Sequence, residues 1–283
     1  MKKWTLTLAA ALLCGSLLAG CGNSQPAPET IPAQTEAAVQ TQAPTQAPTQ
    51  APTEAPTTAP TQAAQPQTAE VPNVITQPQT TVNVATPDEF LAAVAPNTEI
   101  VVAAGELDWS QATGYGTGSG EHYYWRETFD GTELVITGVS NLTVRGSGET
   151  HDATVLSAVP RYANVLNFES CSNILVTGLT AGHTREPGAC VGGVLAFENC
   201  QDVVVADCGL FGCGTLGVWG ASSKNLTVVN SEIYECSVGG VEFTNCQDVQ
   251  VVATTFRDLG GPEFRVYGSE NITWDGEIVE GFN

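Results

Sequence analysis

An Asn or Asp standing before an apolar alternation recurs at Asn141, Asn173, Asp202, Asn225, Asp248 and Asn271. The last four of these anchors are evenly spaced, and the two intervals before them are somewhat longer. Seven and five positions before each anchor stand pairs such as Leu166 and Phe168, Leu195 and Phe197, or Val241 and Phe243. One and three after it stand Ile174 and Val176, Val203 and Val205, Leu226 and Val228, Val249 and Val251. Apolar residues at every second position mean strands, and a fixed return means that like strands stack on like strands.

A unit of about 23 residues is too short for a strand, a crossover helix and a second strand, yet it holds one coil of short strands joined by turns. Stacked coils pair in parallel and are expected to wind right-handed. The fold expected is therefore all-β, a right-handed parallel β-helix of about six coils. Val205 should face the core and Val204 the outside. The anchors serve the turns, because Asn and Asp tolerate the left-handed backbone conformation that a tight corner needs.

Upstream, Thr86, Pro87, Asp88 and Glu89 form a capping box with proline at the first helical position. A short helix capping the solenoid should follow, ending before Pro96 and burying Phe90, Leu91 and Val94. A strand is expected over residues 99–103, and residues 109–127, rich in Gly, Ser and aromatics, read as a loop.

The segments Asn141-Leu-Thr-Val-Arg-Gly, Asn173-Ile-Leu-Val-Thr-Gly-Leu-Thr and Gly182-His-Thr-Arg-Glu-Pro-Gly-Ala-Cys-Val-Gly-Gly-Val-Leu resemble the right-handed β-helix repeat proteins, the superfamily that includes pectate lyases. They look most like a bacterial lipoprotein branch of it. The resemblance implies the fold and little of the activity, since this fold hosts lyases, hydrolases, epimerases and binding modules. The sequence has no adjacent Asp-Asp pair and no Gly-His-Gly of the polygalacturonase kind, and it does not match the pectate lyase pattern of calcium ligands and arginine base.

Residues 1–80 have another character. Lys2 and Lys3 precede an apolar run from Trp4 to Leu18, which is a signal peptide over residues 1–20. Leu18, Ala19, Gly20 and Cys21 resemble a lipobox, making Cys21 the lipidated residue and the membrane anchor. Residues 21–80 hold 11 of the 16 prolines, with Ala-Pro-Thr returning at every fourth position from Ala43 to Ala59. Such a segment has nothing to bury and should be a disordered tether, leaving 82–283 as the β-helix domain. The expected location is extracytoplasmic, lipid-anchored to a bacterial cell membrane.

Charge narrows the partners. The chain carries 30 acidic and 9 basic residues, a net −21. From Val82 to the C-terminus there are 26 acidic and 7 basic side chains, a net −19. A surface of that sign repels phosphate backbones, so nucleic acid is excluded as a partner, whereas cations, neutral glycans and basic partners are compatible. A monomer is expected.

Cys171, Cys200 and Cys246 all sit two positions before an anchor, where the other coils have Ser223 and Ser269. Side chains in one register point in parallel, which is poor disulfide geometry, so these cysteines should be reduced, buried and stacked.

A functional site should use outward positions of one sheet and the insertions beside it. Six before each anchor the outward row reads Val135, Asn167, Ala196, Trp219, Glu242, Arg265; four before, it reads Thr137, Glu169, Glu198, Ala221, Thr244, Tyr267. Glu169 and Glu198 fall in adjacent coils, about 5 Å apart. There they could share a proton or hold calcium, the one cofactor expected as an option. Trp219 with Glu242, Arg265, Tyr267, Asn167 and Arg161 makes a sugar-stacking surface. His183, Arg185 and Glu186, in the insertion after residue 180, offer acid-base groups. Two readings follow: a tethered β-helix that binds carbohydrate or another surface ligand, or a polysaccharide lyase or glycoside hydrolase using Glu169, Glu198, His183 and Arg185.

Overall fold

The computed structural model describes residues 68–77, 79–183, 191–212 and 215–281. Three sheets run the length of the solenoid. Each regular coil supplies one strand to each in turn, as with Leu195–Glu198, Gln201–Ala206 and Gly209–Phe211. Sheet A has nine strands, from Thr80–Val84 to Glu277–Ile278, sheet B has six from Gly105–Asp108 to Thr255–Arg257, and sheet C has seven from Tyr123–Glu127 to Phe264–Tyr267. Pairing is parallel except where Tyr123–Glu127 and Glu277–Ile278 close the ends antiparallel.

The even spacing of the anchors is the register of the sheets: Leu195 pairs with Val218 and Val218 with Val241, while Val203 pairs with Leu226 and Leu226 with Val249. The inward rows are buried up to the last coil, where Phe264 and Trp274 are partly exposed, and they pack in columns, Phe168 stacking on Phe197 at 5.3 Å with rings 9° apart. Gly220 interrupts its column because a Cβ there would stand 3.0 Å from the Phe243 ring. All six anchors have left-handed backbone, with φ between 51° and 59°. Their side chains link the coils, Asn225 Nδ2 donating to Asp202 Oδ1 at 2.8 Å and Asn271 Nδ2 to Asp248 Oδ1 at 2.9 Å.

The helix Pro87–Ala93 has the full capping box, Thr86 Oγ1 accepting from Glu89 N and Glu89 Oε2 from Thr86 N, and it buries Phe90 and Leu91. Cys171, Cys200, Cys208, Cys236 and Cys246 are free and buried. Burial pushes the Cys208 and Cys236 thiols up to about 12. Serine and cysteine are interchangeable in their column because both donate to carbonyls of the preceding coil: Cys200 Sγ to Phe168 O, Ser223 Oγ to Phe197 O.

Three expectations require correction. Residues 109–127 are not a loop throughout: Trp109 is buried and donates from Nε1 to Val165 O at 2.7 Å, and Tyr123–Glu127 is a strand. The tether does not run to residue 80, because residues 68–77 lie along the outside of sheet A. Ala69 N donates to Asn230 Oδ1 and Ala69 O accepts from Asn230 Nδ2. Val74 O accepts from Asn173 Nδ2, and Thr76 N donates to Asn141 Oδ1. Consequently Val204, outward as expected, is not exposed: with Ala206 and Val229 it is buried under Ala69, Val71 and Val74.

Candidate functional site on the outer face of sheet C

The two outward rows are aligned as the spacing requires, Ala196 pairing with Trp219, Trp219 with Glu242 and Glu242 with Arg265, while Glu169 pairs with Glu198. They separate into a charged half and an open half.

The charged half centres on Arg126, carried by the antiparallel strand Tyr123–Glu127. Nη1 donates to Glu198 Oε1 at 2.7 Å, and Nη2 donates to Glu169 Oε2 and to Tyr124 Oη, both at 3.1 Å. Tyr124 Oη donates in turn to Glu169 Oε2 at 2.5 Å. Beneath them the 4 % exposed Glu133 accepts from Asn164 N and Nδ2 and from Asn167 Nδ2. Asn167 also donates to Glu198 Oε1 at 2.7 Å. Burial raises the Glu198 carboxyl, but the hydrogen bonds from Arg126 and Asn167 outweigh it and the net value lies below the usual carboxylate range. Burial and then the bond to Glu169 push the Tyr124 phenol up.

This arrangement revises two sequence expectations. Glu169 and Glu198 are adjacent, but a guanidinium bonds to both where a shared proton or calcium was one option, and it keeps Glu198 ionised. Among the described residues no group of three or more His, Cys, Asp or Glu side chains is placed to hold a metal ion. Asn167 is fully buried beneath the charged cluster, so it positions carboxylates and does not present itself to a ligand.

The open half begins one coil on. Trp219 is half-buried, outside the hydrophobic core, and lines a groove of about 260 Å³ with Tyr162, Asn164, Thr215, Leu216 and Glu242. Arg265 Nε donates to Glu242 Oε2 at 2.8 Å, and its guanidinium lies 5.7 Å from the centroid of the Tyr267 ring. Arg161 belongs to the turn beside the groove; its backbone N donates to Asp130 Oδ2 at 2.7 Å. The arrangement offers an aromatic face, a carboxylate, an amide and a hydroxyl around one concave space, the combination that a polyhydroxylated ring can use.

His183 is interior, 1 % exposed, with Nε2 2.7 Å from Ala163 O, and burial holds its imidazole below the ordinary range. Arg185, Glu186 and Cys21 lie outside the described residues. Sequence reasoning missed Tyr124, Arg126 and Glu133. The signal was Asp130-Gly131, a hairpin dipeptide flanked by Tyr123–Glu127 and Thr132–Thr137, which pair antiparallel.

A family model described as "right handed beta helix region" matches residues 131–282, just over half of the chain. The protein belongs to the right-handed β-helix family. Among solved structures it is similar to a candidate glycosyl hydrolase from Parabacteroides merdae, at 11 % identity and TM-score 0.44, covering 69 % of this chain and 95 % of that one. It is also similar to an alginate lyase from a Paenibacillus species, at 15 % identity and TM-score 0.44, over 67 % of this chain and 65 % of that one. A third is the GH136 lacto-N-biosidase from Eubacterium ramulus, at 10 % identity and TM-score 0.27, over 65 % of this chain and 52 % of that one. The chain thus spans less than two thirds of the latter two, and no activity is transferred from any of them. No curated protein matches.

Proposed function

We propose that this protein is a bacterial surface lipoprotein, anchored through Cys21 and a Pro/Thr-rich tether, whose β-helix binds carbohydrate in the groove beside Trp219. One observation carries the binding reading: an indole outside the core lines a concave space with Glu242, Asn164 and Thr215. The net −19 from Val82 onward favours a ligand without negative charge. The geometry gives less to a glycoside hydrolase: its general acid is a carboxylic acid that still holds its proton, and Arg126 keeps Glu198 ionised.

Glycan-array screening followed by calorimetry on Trp219→Ala tests the site. The variant should lose about 1 to 3 kcal/mol of binding free energy, the order for an aromatic anchor. A wild type without a glycan ligand, or a variant with unchanged affinity, refutes it. Membrane fractionation of Cys21→Ser tests the anchor: the variant should leave the membrane fraction, and retention at wild-type level refutes lipidation at Cys21.

A further inference from the structure

Next to the groove the molecule exposes apolar side chains that its core does not use. Phe129 is 85 % exposed, Val191 55 %, Val159 46 % and Tyr162 41 %, and these are four of the five large hydrophobics exposed among the described residues. Three of them come from separate parts of the sequence but from corresponding places in the fold. Phe129 precedes the sheet C strand Thr132–Thr137, Tyr162 precedes Leu166–Glu169, and Val191 precedes Leu195–Glu198. Successive coils therefore set them in a row along the solenoid axis.

The row is built. Phe129 and Tyr162 are in ring contact at 4.9 Å and 45°. The neighbouring Asp130 carboxylate accepts from Arg161 N at 2.7 Å and Tyr162 N at 3.2 Å, which fixes one turn on the next. Val191 N and Gly192 N both donate to Arg161 O at 2.8 Å, and Thr215 N donates to Gly192 O at 2.7 Å. Tyr162 and Val191 also line the Trp219 groove, so shelf and groove are one surface. The hydrogen bonds fix these turns on one another, so the apolar side chains they carry form one continuous row rimmed by polar groups, the kind of surface that serves binding.

We infer that this row is the extension of the Trp219 groove along which an uncharged glycan chain lies, its axis parallel to the solenoid. The inference rests on the carbohydrate reading and deepens it from a single ring to a chain. The strands of Tyr162 and Trp219 are two coils apart, about 10 Å at ordinary strand spacing, which suits sugar rings stacking at both ends of a short oligosaccharide. Alternation of apolar faces with Asp130, Asn164, Thr215 and Glu242 matches a ligand that has apolar ring faces and hydroxyl edges. The domain's negative charge disfavours polyuronates, nucleic acid and anionic lipid.

Calorimetry with cellohexaose, xylohexaose and chitohexaose, with their monosaccharides, and with hexagalacturonate as the charged comparator tests it. At least one neutral hexamer should bind the wild type more tightly than its monosaccharide. Phe129→Ala and Tyr162→Ala should each weaken that hexamer about tenfold, the loss expected of an aromatic anchor, while Phe129→Ala leaves the monosaccharide unchanged. Trp219→Ala should weaken both. If Trp219→Ala abolishes binding and Phe129→Ala changes nothing, the chain reading falls and the groove stands. If no neutral glycan binds, both fall. Preference for hexagalacturonate, or Phe129-dependent self-association or vesicle binding in place of hexamer binding, overturns the inference.

Discussion

Sheets A and C each turn apolar side chains outward, and the molecule treats the two faces differently. On sheet A, Val204, Ala206 and Val229 lie under residues 68–77 of the same chain. On sheet C, Trp219 borders an open groove, joined there by Tyr162 and Val191 from the turns ahead of the strands. The coil geometry is the same on both faces, so outward position alone decides neither burial nor function. What separates them is cover. An outward apolar row that the chain covers contributes to stability, and one that it leaves open is available to a partner.

The comparison breaks most visibly at Val205 and Val204. Val205→Asp puts an unpaired charge in the core and should cost about 4 kcal/mol or more, enough to unfold the domain. Val204→Asp should cost less, about 1 to 3 kcal/mol, because lifting residues 68–77 gives its carboxylate access to water. In a chain beginning at Gln79 the Val204→Asp penalty should nearly vanish. Thermal melting of the single variants in both chain lengths checks this, and an equal Val204 penalty with and without the segment would show that something else buries the residue.

Arg126→Met probes the charged half of sheet C. It leaves Glu133 and Glu198 without their guanidinium and should destabilise by about 2 kcal/mol, less than for a fully buried pair because Arg126 is 34 % exposed. The pH dependence should change sign as well. In the wild type the Glu198 carboxyl is depressed, so its contribution is present above the ordinary Glu range and is lost as pH falls through the depressed value. Without Arg126 burial dominates, the carboxyl rises above the ordinary Glu range, and acidification from neutral should restore stability as pH falls through that raised value, ahead of the range in which the wild type loses it. Melting curves from neutral to acidic pH decide it.

Asn230→Ala removes both hydrogen bonds to Ala69 and should cost about 1 kcal/mol in the full chain and less than that in the chain lacking residues 68–77. Trp219→Ala should change stability least, within about 0.5 kcal/mol, since the indole lies outside the core. A larger loss would make Trp219 a packing residue and close the difference between the two faces.

The coils are legible in the sequence because the anchors and the inward rows obey one period, and a fixed return leaves little choice of register. The outer faces are less so. Alternation places Asn167 outward, yet it is buried and bonded to Glu133 and Glu198, the carboxylates that Arg126 reaches from the strand Tyr123–Glu127. Val204 escapes the same reasoning for a related cause: its cover comes from a Pro-containing segment whose composition suggests disorder. Trp219 and Glu242 are brought together as expected, because paired positions on neighbouring coils follow from the repeat alone. Tyr162 and Phe129 sit in turns of irregular length, where periodicity carries no information.

The segment over sheet A has a mechanical side. It meets Asn230 first, then Asn173, then Asn141, running against the direction in which the coils are stacked. A pull on the chain ahead of Thr68 would therefore load these attachments one after another, as a zipper opens, and not all together. Side-chain amides carry those rungs, so each can part while the backbone ladder of sheet A stays intact. Release of residues 68–77 would free at most about 35 Å of chain at full extension. A domain held this way yields in length before it yields in fold, and under strain the first surface it uncovers is Val204, Ala206 and Val229.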